Sequence, residues 1–142
     1  MDLNALYQEV ILKHYRHAPR RGDLDAPDAV VIMRNPTCGD DIVLQVRAKD
    51  GVIEDVRFKG QGCAISQASA SMMSERLAGK TFEEAHALLE RFRAMVHGDA
   101  EAAKDKQLGE LRALSGVAKL PSRVKCAMLA WDALEEAERK LP

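Results

Sequence analysis

Apolar and polar residues alternate on both sides of Asp50-Gly51, and this pattern restricts the fold more than any other feature of the chain. Alternation places every second side chain on one face, so the pattern predicts an antiparallel β-hairpin with one buried face. A two-residue turn would mix the faces, whereas a three-residue loop, Lys49 to Gly51 with left-handed glycine, would match them. The pairs predicted from that loop are Ile42 with Phe58, Leu44 with Val56 and Ala48 with Val52, and Glu54 is then a misfit on the apolar face.

One more strand and several helices are predicted from the remaining sequence. The β-branched run from Ala29 to Met33 reads as a strand that Asn35-Pro36 ends. Helical spacing predicts helices from Asp2 to before Ala18-Pro19 and from Ala64 to Ala78. A capping box of Thr81 and Glu84 begins a helix that reaches about Val96. A short helix around Leu108, Leu111 and Leu114 ends before Ser115-Gly116, and a last helix begins at Pro121. We therefore expect an α+β fold with a three-stranded antiparallel sheet packed against helices.

The size and charge of the chain exclude several classes of protein. A length of 142 residues is typical of one domain, which we assign to residues 1–142. The net charge of −1 predicts no general attraction to nucleic acid or to an anionic membrane. The longest apolar run has six residues, Cys126 to Trp131, which is too short to span a bilayer. The first residues lack the basic and long apolar segments of an export signal, so we expect a cytoplasmic location.

The three cysteines, Cys38, Cys63 and Cys126, all lie near predicted element boundaries. In a reducing compartment an odd number of cysteines favours metal binding or thiol chemistry over disulfides. Three thiolates and one oxygen could complete a tetrahedral zinc or iron site. Asp40 is the nearest oxygen donor, because strand geometry turns Asp41 to the other face. Spacing alone leaves open that all three cysteines are small buried core residues.

Three segments of the chain resemble motifs of a known family. They are Asn35-Pro36-Thr37-Cys38-Gly39-Asp40, the segment from Gly60 to Ser71, and the segment from Leu120 to Ala127. In this order they resemble the three cysteine motifs of the IscU/NifU-N family of iron–sulfur cluster assembly proteins, and the resemblance covers nearly the whole chain. It implies that Cys38, Asp40, Cys63 and Cys126 bind one metal or cluster.

Two further features resemble the SufU-type branch of that family. Lys125 occupies the position where IscU-type scaffolds have a histidine, and an extra segment from Val96 to Gly116 separates the second and third cysteines. The resemblance to this branch implies zinc binding and acceptance of sulfur from a SufS-type cysteine desulfurase, with Cys38 as the acceptor. It also implies that the protein has downstream assembly or target proteins as partners. The protein would then work as a partner of the desulfurase rather than as a stand-alone enzyme.

Several alternatives remain open at this stage. Arg123 and Lys125 could stabilise a thiolate or a persulfide, or they could be solvated charges at a helix start. The alternative function is an IscU-type scaffold that assembles and transfers a [2Fe–2S] cluster on Cys38, Cys63 and Cys126, with iron or a cluster in place of zinc. A zinc-stabilised interaction domain without sulfur transfer is a third possibility.

Overall fold

The computed structural model of the protein describes residues 3–141, without the side chains of Leu3, Asn4 and Leu6, so the predicted helix start at Asp2 lies outside the described residues. The elements in chain order are α1 (Leu3–Arg16), β1 (Ala29–Asn35), β2 (Asp40–Lys49), β3 (Val52–Gln61), α2 (Ala64–Leu77), α3 (Phe82–Val96), a 3₁₀ turn (Ala102–Lys104), a 3₁₀ helix (Lys106–Lys119) and α4 (Pro121–Lys140). The strands form one antiparallel sheet in the order β1-β2-β3. The predicted α+β fold is confirmed.

The turn of the β2–β3 hairpin is shorter than predicted. Asp50 and Gly51 both have positive φ, 53° and 79°, and form a two-residue turn of the primed type. Lys49 therefore pairs with Val52, and the predicted three-residue loop with Ala48 opposite Val52 is wrong.

A two-residue turn alone would pair apolar residues with polar ones, and a β-bulge on β3 restores apolar residues to the same face of the sheet. Ala48 pairs with Ile53, but Arg47 pairs with Asp55, so Glu54 is an extra residue on β3. Glu54 is exposed and lies 3.6 Å from the Arg47 guanidinium instead of on the apolar face. Beyond the bulge the register differs from the predicted one: Leu44 faces Phe58, Val46 faces Val56, and Ile42 faces Gly60.

Helices α2 and α4 cover one face of the sheet. α4 packs on β1 and β2, and α2 packs on β3 and on α4. Trp131 of α4 is fully buried, stacks on Phe92 of α3 with ring centroids 4.8 Å apart, and donates its indole N–H to Ser69 Oγ of α2. This packing fixes α4 across the strands, so that its first turns lie near the β1 end.

The local signals for two helix starts are confirmed. The Thr81 hydroxyl accepts from the Glu84 N–H while the Glu84 carboxylate accepts from the Thr81 N–H, which is the predicted capping box. Pro121 is the first residue of α4. Among the described residues, no helix combines the length and the apolar character needed to cross a membrane.

The 3₁₀ helix before α4 runs past its predicted end. The sequence predicts a short helix that ends before Ser115-Gly116, but the segment continues to Lys119, with a break at Gly109. A 3₁₀ helix repeats every three residues, so apolar residues spaced by three share one face. These residues are buried: Leu108, Leu111, Leu114 and Val117.

Side chains of α1 and α2 hold this 3₁₀ helix in place. The buried His14 of α1 contacts Ser71 Oγ at 2.7 Å and Glu110 Oε1 at 3.3 Å through its two ring nitrogens. The Arg76 guanidinium of α2 donates to the Gln107 carbonyl. The extra segment is thus part of the packed structure, anchored on two helices.

Candidate metal centre

The first part of the site is the loop that joins β1 to β2. The backbone N–H groups of Cys38 and Gly39 donate to the Asn35 carbonyl at 3.2 and 2.9 Å. Gly39 has φ +70°, a conformation that glycine adopts without strain. The chain re-enters the sheet at Asp40, which pairs with Asn35. This tight loop leaves Cys38 partly exposed and Asp40 buried.

The second part is the start of α2, where Cys63 is the N-cap residue. The Cys63 sulfur accepts from the Ser66 N–H at 3.4 Å, and the Cys63 N–H donates to Asp40 Oδ1 at 2.8 Å. The Cys63 sulfur also lies 3.9 Å from Asp40 Oδ2. Gly62 permits this approach, because a β carbon there would stand 2.2 Å from Asp40 Oδ1.

The third part is Cys126, near the start of α4 as predicted but fully buried. Its sulfur lies 3.4 Å from the Cys38 sulfur. The side-chain amide of Asn35 donates to the same sulfur, with Nδ2 and Sγ 3.8 Å apart. Cys126 is therefore packed against the β1–β2 loop, and only Cys38 and Cys63 have part of their surface in solvent.

The structure brings these residues together to different degrees. The Cys38 sulfur, the Cys126 sulfur and one carboxylate oxygen of Asp40 lie within 4.8 Å of one another. Cys63 is outside this group of three and adjoins it through Asp40. Asp41, on the opposite face of β2, lies 3.3 Å from the Arg34 guanidinium.

Two donor pairs of the site have distances near those of a tetrahedral metal ion. Zinc–sulfur bonds of about 2.3 Å and a zinc–oxygen bond of about 2.0 Å place two sulfurs about 3.8 Å apart and sulfur and oxygen about 3.5 Å apart. The Cys38 and Cys126 sulfurs are 3.4 Å apart and the Cys63 sulfur is 3.9 Å from Asp40 Oδ2, while Cys63 stays outside the group of three donors within 4.8 Å. Thiolates with one carboxylate suit zinc or iron.

The surroundings of Cys126 disfavour the thiolate form of its side chain. Burial, and then the Asp40 carboxylate and the Cys38 thiol, raise the pKa of the Cys126 thiol well above its ordinary value. The hydrogen bond to Cys126 and the negative charge of Cys63 raise the pKa of the Arg123 guanidinium. Without a bound metal ion the Cys126 thiol is therefore protonated at neutral pH.

Arg123 and Lys125, predicted together, occupy different positions. Arg123 lies three residues before Cys126 and therefore on the same face of α4. Lys125 is exposed on the first turns of the helix. Asn35 is a contact that the sequence analysis missed, although its place at the start of the first cysteine motif was a signal for it.

The fold and the site define a class: small α+β proteins in which one aspartate lies beside cysteines from three separate segments at a candidate metal site. A family model for the NifU-like N-terminal domain matches residues 6–141. The chain belongs to this family, and the resemblance found in the sequence is confirmed.

Named relatives and a solved structure agree with this assignment. The chain is 48% identical over 138 residues to the iron-sulfur cluster assembly scaffold protein IscU of Streptococcus pyogenes serotype M1, covering 97% of this chain and 86% of that protein. It is 43% identical over 140 residues to the zinc-dependent sulfurtransferase SufU of Bacillus subtilis (strain 168), covering 98% of this chain and 93% of that protein. A crystal structure of a nitrogen-fixing NifU-like protein (N-terminal) from Brucella abortus matches with a TM-score of 0.85 at 26% identity, covering 98% of this chain and 96% of that one.

Proposed function

We propose that this protein accepts sulfur from a cysteine desulfurase of the SufS type and passes it on in iron–sulfur cluster biogenesis, with zinc at its cysteine centre. The observation that carries the proposal is the contact between Cys38 and Cys126, whose sulfurs are 3.4 Å apart beside Asp40. Similarity to the B. subtilis protein named a zinc-dependent sulfurtransferase supports it. A cytoplasmic location, with further assembly or target proteins as recipients, belongs to the same proposal.

Cys38 is the acceptor in this proposal because of its position. It lies on a loop and is partly exposed, whereas Cys126 is fully buried in α4. Cys63 is also partly exposed, but its sulfur is engaged as the N-cap of α2. A donor protein can reach Cys38 without displacing a helix.

The transfer is a thiol exchange without net oxidation. The Cys38 thiolate attacks the outer sulfur of the persulfide on the donor cysteine, and a sulfur–sulfur bond forms at Cys38. The bond between that outer sulfur and the donor cysteine breaks, and the donor leaves as a thiolate. Arg123, on the same face of α4 as Cys126, stabilises the negative charge during this step. The exposed Lys125 attracts the anionic donor group from solvent.

Zinc would be held by Cys38, Asp40, Cys63 and Cys126. When bound, it supplies positive charge that keeps coordinating thiols deprotonated. Asp40 then has two roles, since Oδ1 also accepts from the Cys63 N–H and so ties the β1–β2 loop to the start of α2.

A scaffold that assembles a [2Fe–2S] cluster on the same cysteines is the second candidate. The observation in its favour is the 48% identity to the S. pyogenes protein named an IscU scaffold. The metal content of protein purified without added metal separates the two. About one zinc per chain supports the sulfur acceptor, and a coloured, iron-containing protein supports the scaffold.

The acceptor function is tested with an active desulfurase and cysteine. We expect the protein to accelerate alanine release, and mass spectrometry to find the persulfide on Cys38. The Cys38→Ser variant should give no acceleration, while a variant at an exposed cation outside the centre, Lys119→Ala, should behave as wild type. No acceleration by the wild-type protein, with a desulfurase shown to be active and cognate, would reject this function in favour of the scaffold.

A further inference from the structure

Asn35 contacts two of the three cysteine segments. Its side-chain amide lies 3.8 Å from the Cys126 sulfur, and the residue is only 7% exposed. Its backbone carbonyl accepts from the N–H groups of Cys38 and Gly39. A single residue at the end of β1 thus connects the buried sulfur on α4 to the loop that presents the partly exposed one.

The three sulfurs differ in their N–H donors. Within the part of the chain that the structure describes, the Cys126 sulfur accepts from the Asn35 amide and adjoins the Arg123 guanidinium, and the Cys63 sulfur accepts from the Ser66 N–H. The Cys38 sulfur accepts from the Cys126 thiol. An N–H donor withdraws electron density from a thiolate and makes it a weaker nucleophile, while holding it in place as a ligand. Two sulfurs are therefore restrained, and Cys38 is the least restrained of the three.

We propose that Asn35 is a positioning residue: its amide holds the Cys126 thiolate as a metal ligand, and its carbonyl fixes the Cys38 loop at a set distance from that ligand. The consequence is that Cys38 is presented next to a firmly held metal ligand. This inference rests on the proposed function and deepens it by naming the residue that positions the acceptor loop.

The hydrogen bond is tested first in the wild-type protein loaded with ¹¹³Cd²⁺. A metal-bound sulfur that accepts an N–H bond transmits a scalar coupling from cadmium to the amide proton. We expect such coupling at the side-chain amide of Asn35, together with coupling at the Ser66 N–H, which serves as the internal reference. Coupling at Ser66 without coupling at Asn35 would overturn the proposal, and a wild-type protein that binds no metal would overturn it together with the zinc centre.

The second test replaces only the side chain. Asn35→Leu has a similar size, lacks the N–H donor and leaves the backbone carbonyl in place. We expect Co²⁺ affinity to fall about 10- to 100-fold, with the thiolate-to-cobalt absorption moved to lower energy. The matched control is Arg34→Ala, the preceding residue of β1, whose side chain is exposed and faces Asp41 instead of the cysteines. Circular dichroism of the metal-free variants checks that both are folded.

The acceptor cysteine is then mapped in the same variant with an active desulfurase. We expect the persulfide on Cys38 in both proteins, because Cys126 stays buried, but formed more slowly in Asn35→Leu, whose metal is bound more weakly. A folded Asn35→Leu protein with wild-type Co²⁺ affinity, spectrum and rate of persulfide formation would overturn the proposal. Absence of any persulfide on the wild type would reject the sulfur-acceptor function instead, and the cadmium and cobalt measurements would still decide the role of Asn35.

Discussion

Asp40 and Gly62 are in such close contact that a β carbon on Gly62 would lie 2.2 Å from Asp40 Oδ1 and 2.9 Å from Asp40 Cα. Gly62 also has φ +147°, which side-chain-bearing residues rarely adopt. The last residue before Cys63 is therefore fixed as glycine by the position of a carboxylate on a different strand. This contact leads to the first prediction.

The Gly62→Ala variant should lose metal affinity and stability. The added carbon must displace the Asp40 side chain or the chain before Cys63, at a cost of about 1–3 kcal/mol in the free energy of unfolding. Gly116→Ala is the matched control, because a β carbon there meets no atom within 4 Å. Metal titration and urea denaturation measure both effects, and equal behaviour of the two variants would contradict the contact described.

Removal of zinc should lower the melting temperature. The proposed ligands come from the β1–β2 loop, the start of α2 and the start of α4, so metal bound to them stabilises only the folded chain. At a metal concentration of about 100 times Kd, the stabilisation is about 2.7 kcal/mol. This corresponds to a shift on the order of 10 °C for a chain of this size. Differential scanning calorimetry with a chelator measures it, and an unchanged curve after demonstrated loss of zinc would contradict the coupling.

Arg123 and Lys125 should affect sulfur transfer differently. Arg123→Ala removes the cation on the face of α4 that carries Cys126, so the rate of persulfide transfer should fall about tenfold at all salt concentrations. Lys125→Ala removes an exposed charge, and its smaller effect should disappear at high ionic strength, where exposed charges are screened. Single-turnover transfer measured at several salt concentrations separates the two variants. The same salt dependence for both would show that Arg123 acts only as a distant charge.

Ser69→Ala should destabilise the fold by about 3 kcal/mol. The Ser69 hydroxyl donates to the Ala127 carbonyl at 2.6 Å and accepts from the Trp131 indole N–H at 3.1 Å. Its loss leaves two buried polar groups of α4 without that partner, each at a cost of about 1–3 kcal/mol. The control is Ser122→Ala, at an exposed position of the same helix. Chemical denaturation compares them, and a difference below about 1 kcal/mol would disagree with this packing.

Glu110→Gln should lower stability at neutral pH but not in acid. Partial burial raises the pKa of this carboxyl, but the hydrogen bond and charge of His14, and then Lys13, outweigh it and leave the pKa lowered. A lowered folded-state pKa stabilises the fold above the unfolded value of about 4.3, and this contribution is lost as the pH falls through the folded value.

We expect a difference of about 0.5 kcal/mol near pH 7 that vanishes below about pH 3, since the Glu110 side chain is 47% exposed and partly screened. The exposed Glu9→Gln variant provides the baseline. Urea denaturation at a series of pH values measures the difference, and a constant difference across the series would show that Glu110 acts through packing.

Local signals predicted two helix starts well, but the hairpin register and the end of the 3₁₀ helix poorly. The Thr81 and Glu84 capping box and Pro121 are recognisable because their partners lie within one helical turn. The hairpin register was wrong because an exposed Glu54 in a bulge looks, in sequence, like a misfit on a regular strand. The 3₁₀ helix exceeded its predicted length because the core, through residues such as Val117, stabilises it beyond the reach of local propensity.

The candidate site was predictable as a set of residues but not as a geometry. The motifs named Cys38, Asp40, Cys63 and Cys126; the structure groups Cys38, Asp40 and Cys126, and Cys63 adjoins them through Asp40. The sequence could not show that Asn35 reaches the Cys126 sulfur, because that contact depends on how α4 crosses the end of β1. Crossing angles are set by packing among buried side chains, which single-sequence patterns do not encode.

The bulge at Glu54 adds one residue to β3 without changing the strand pairing on the side of the bulge that leads to Cys63. If Glu54 were deleted, Ala48 could still face Ile53 and Arg47 could still face Asp55, so every pair beyond them would be kept. The tip of the hairpin can thus lose this residue without shifting the frame in which Cys63 follows β3. A one-residue change in chain length at Glu54 would therefore leave the register of the strand ends next to the sulfur centre unchanged.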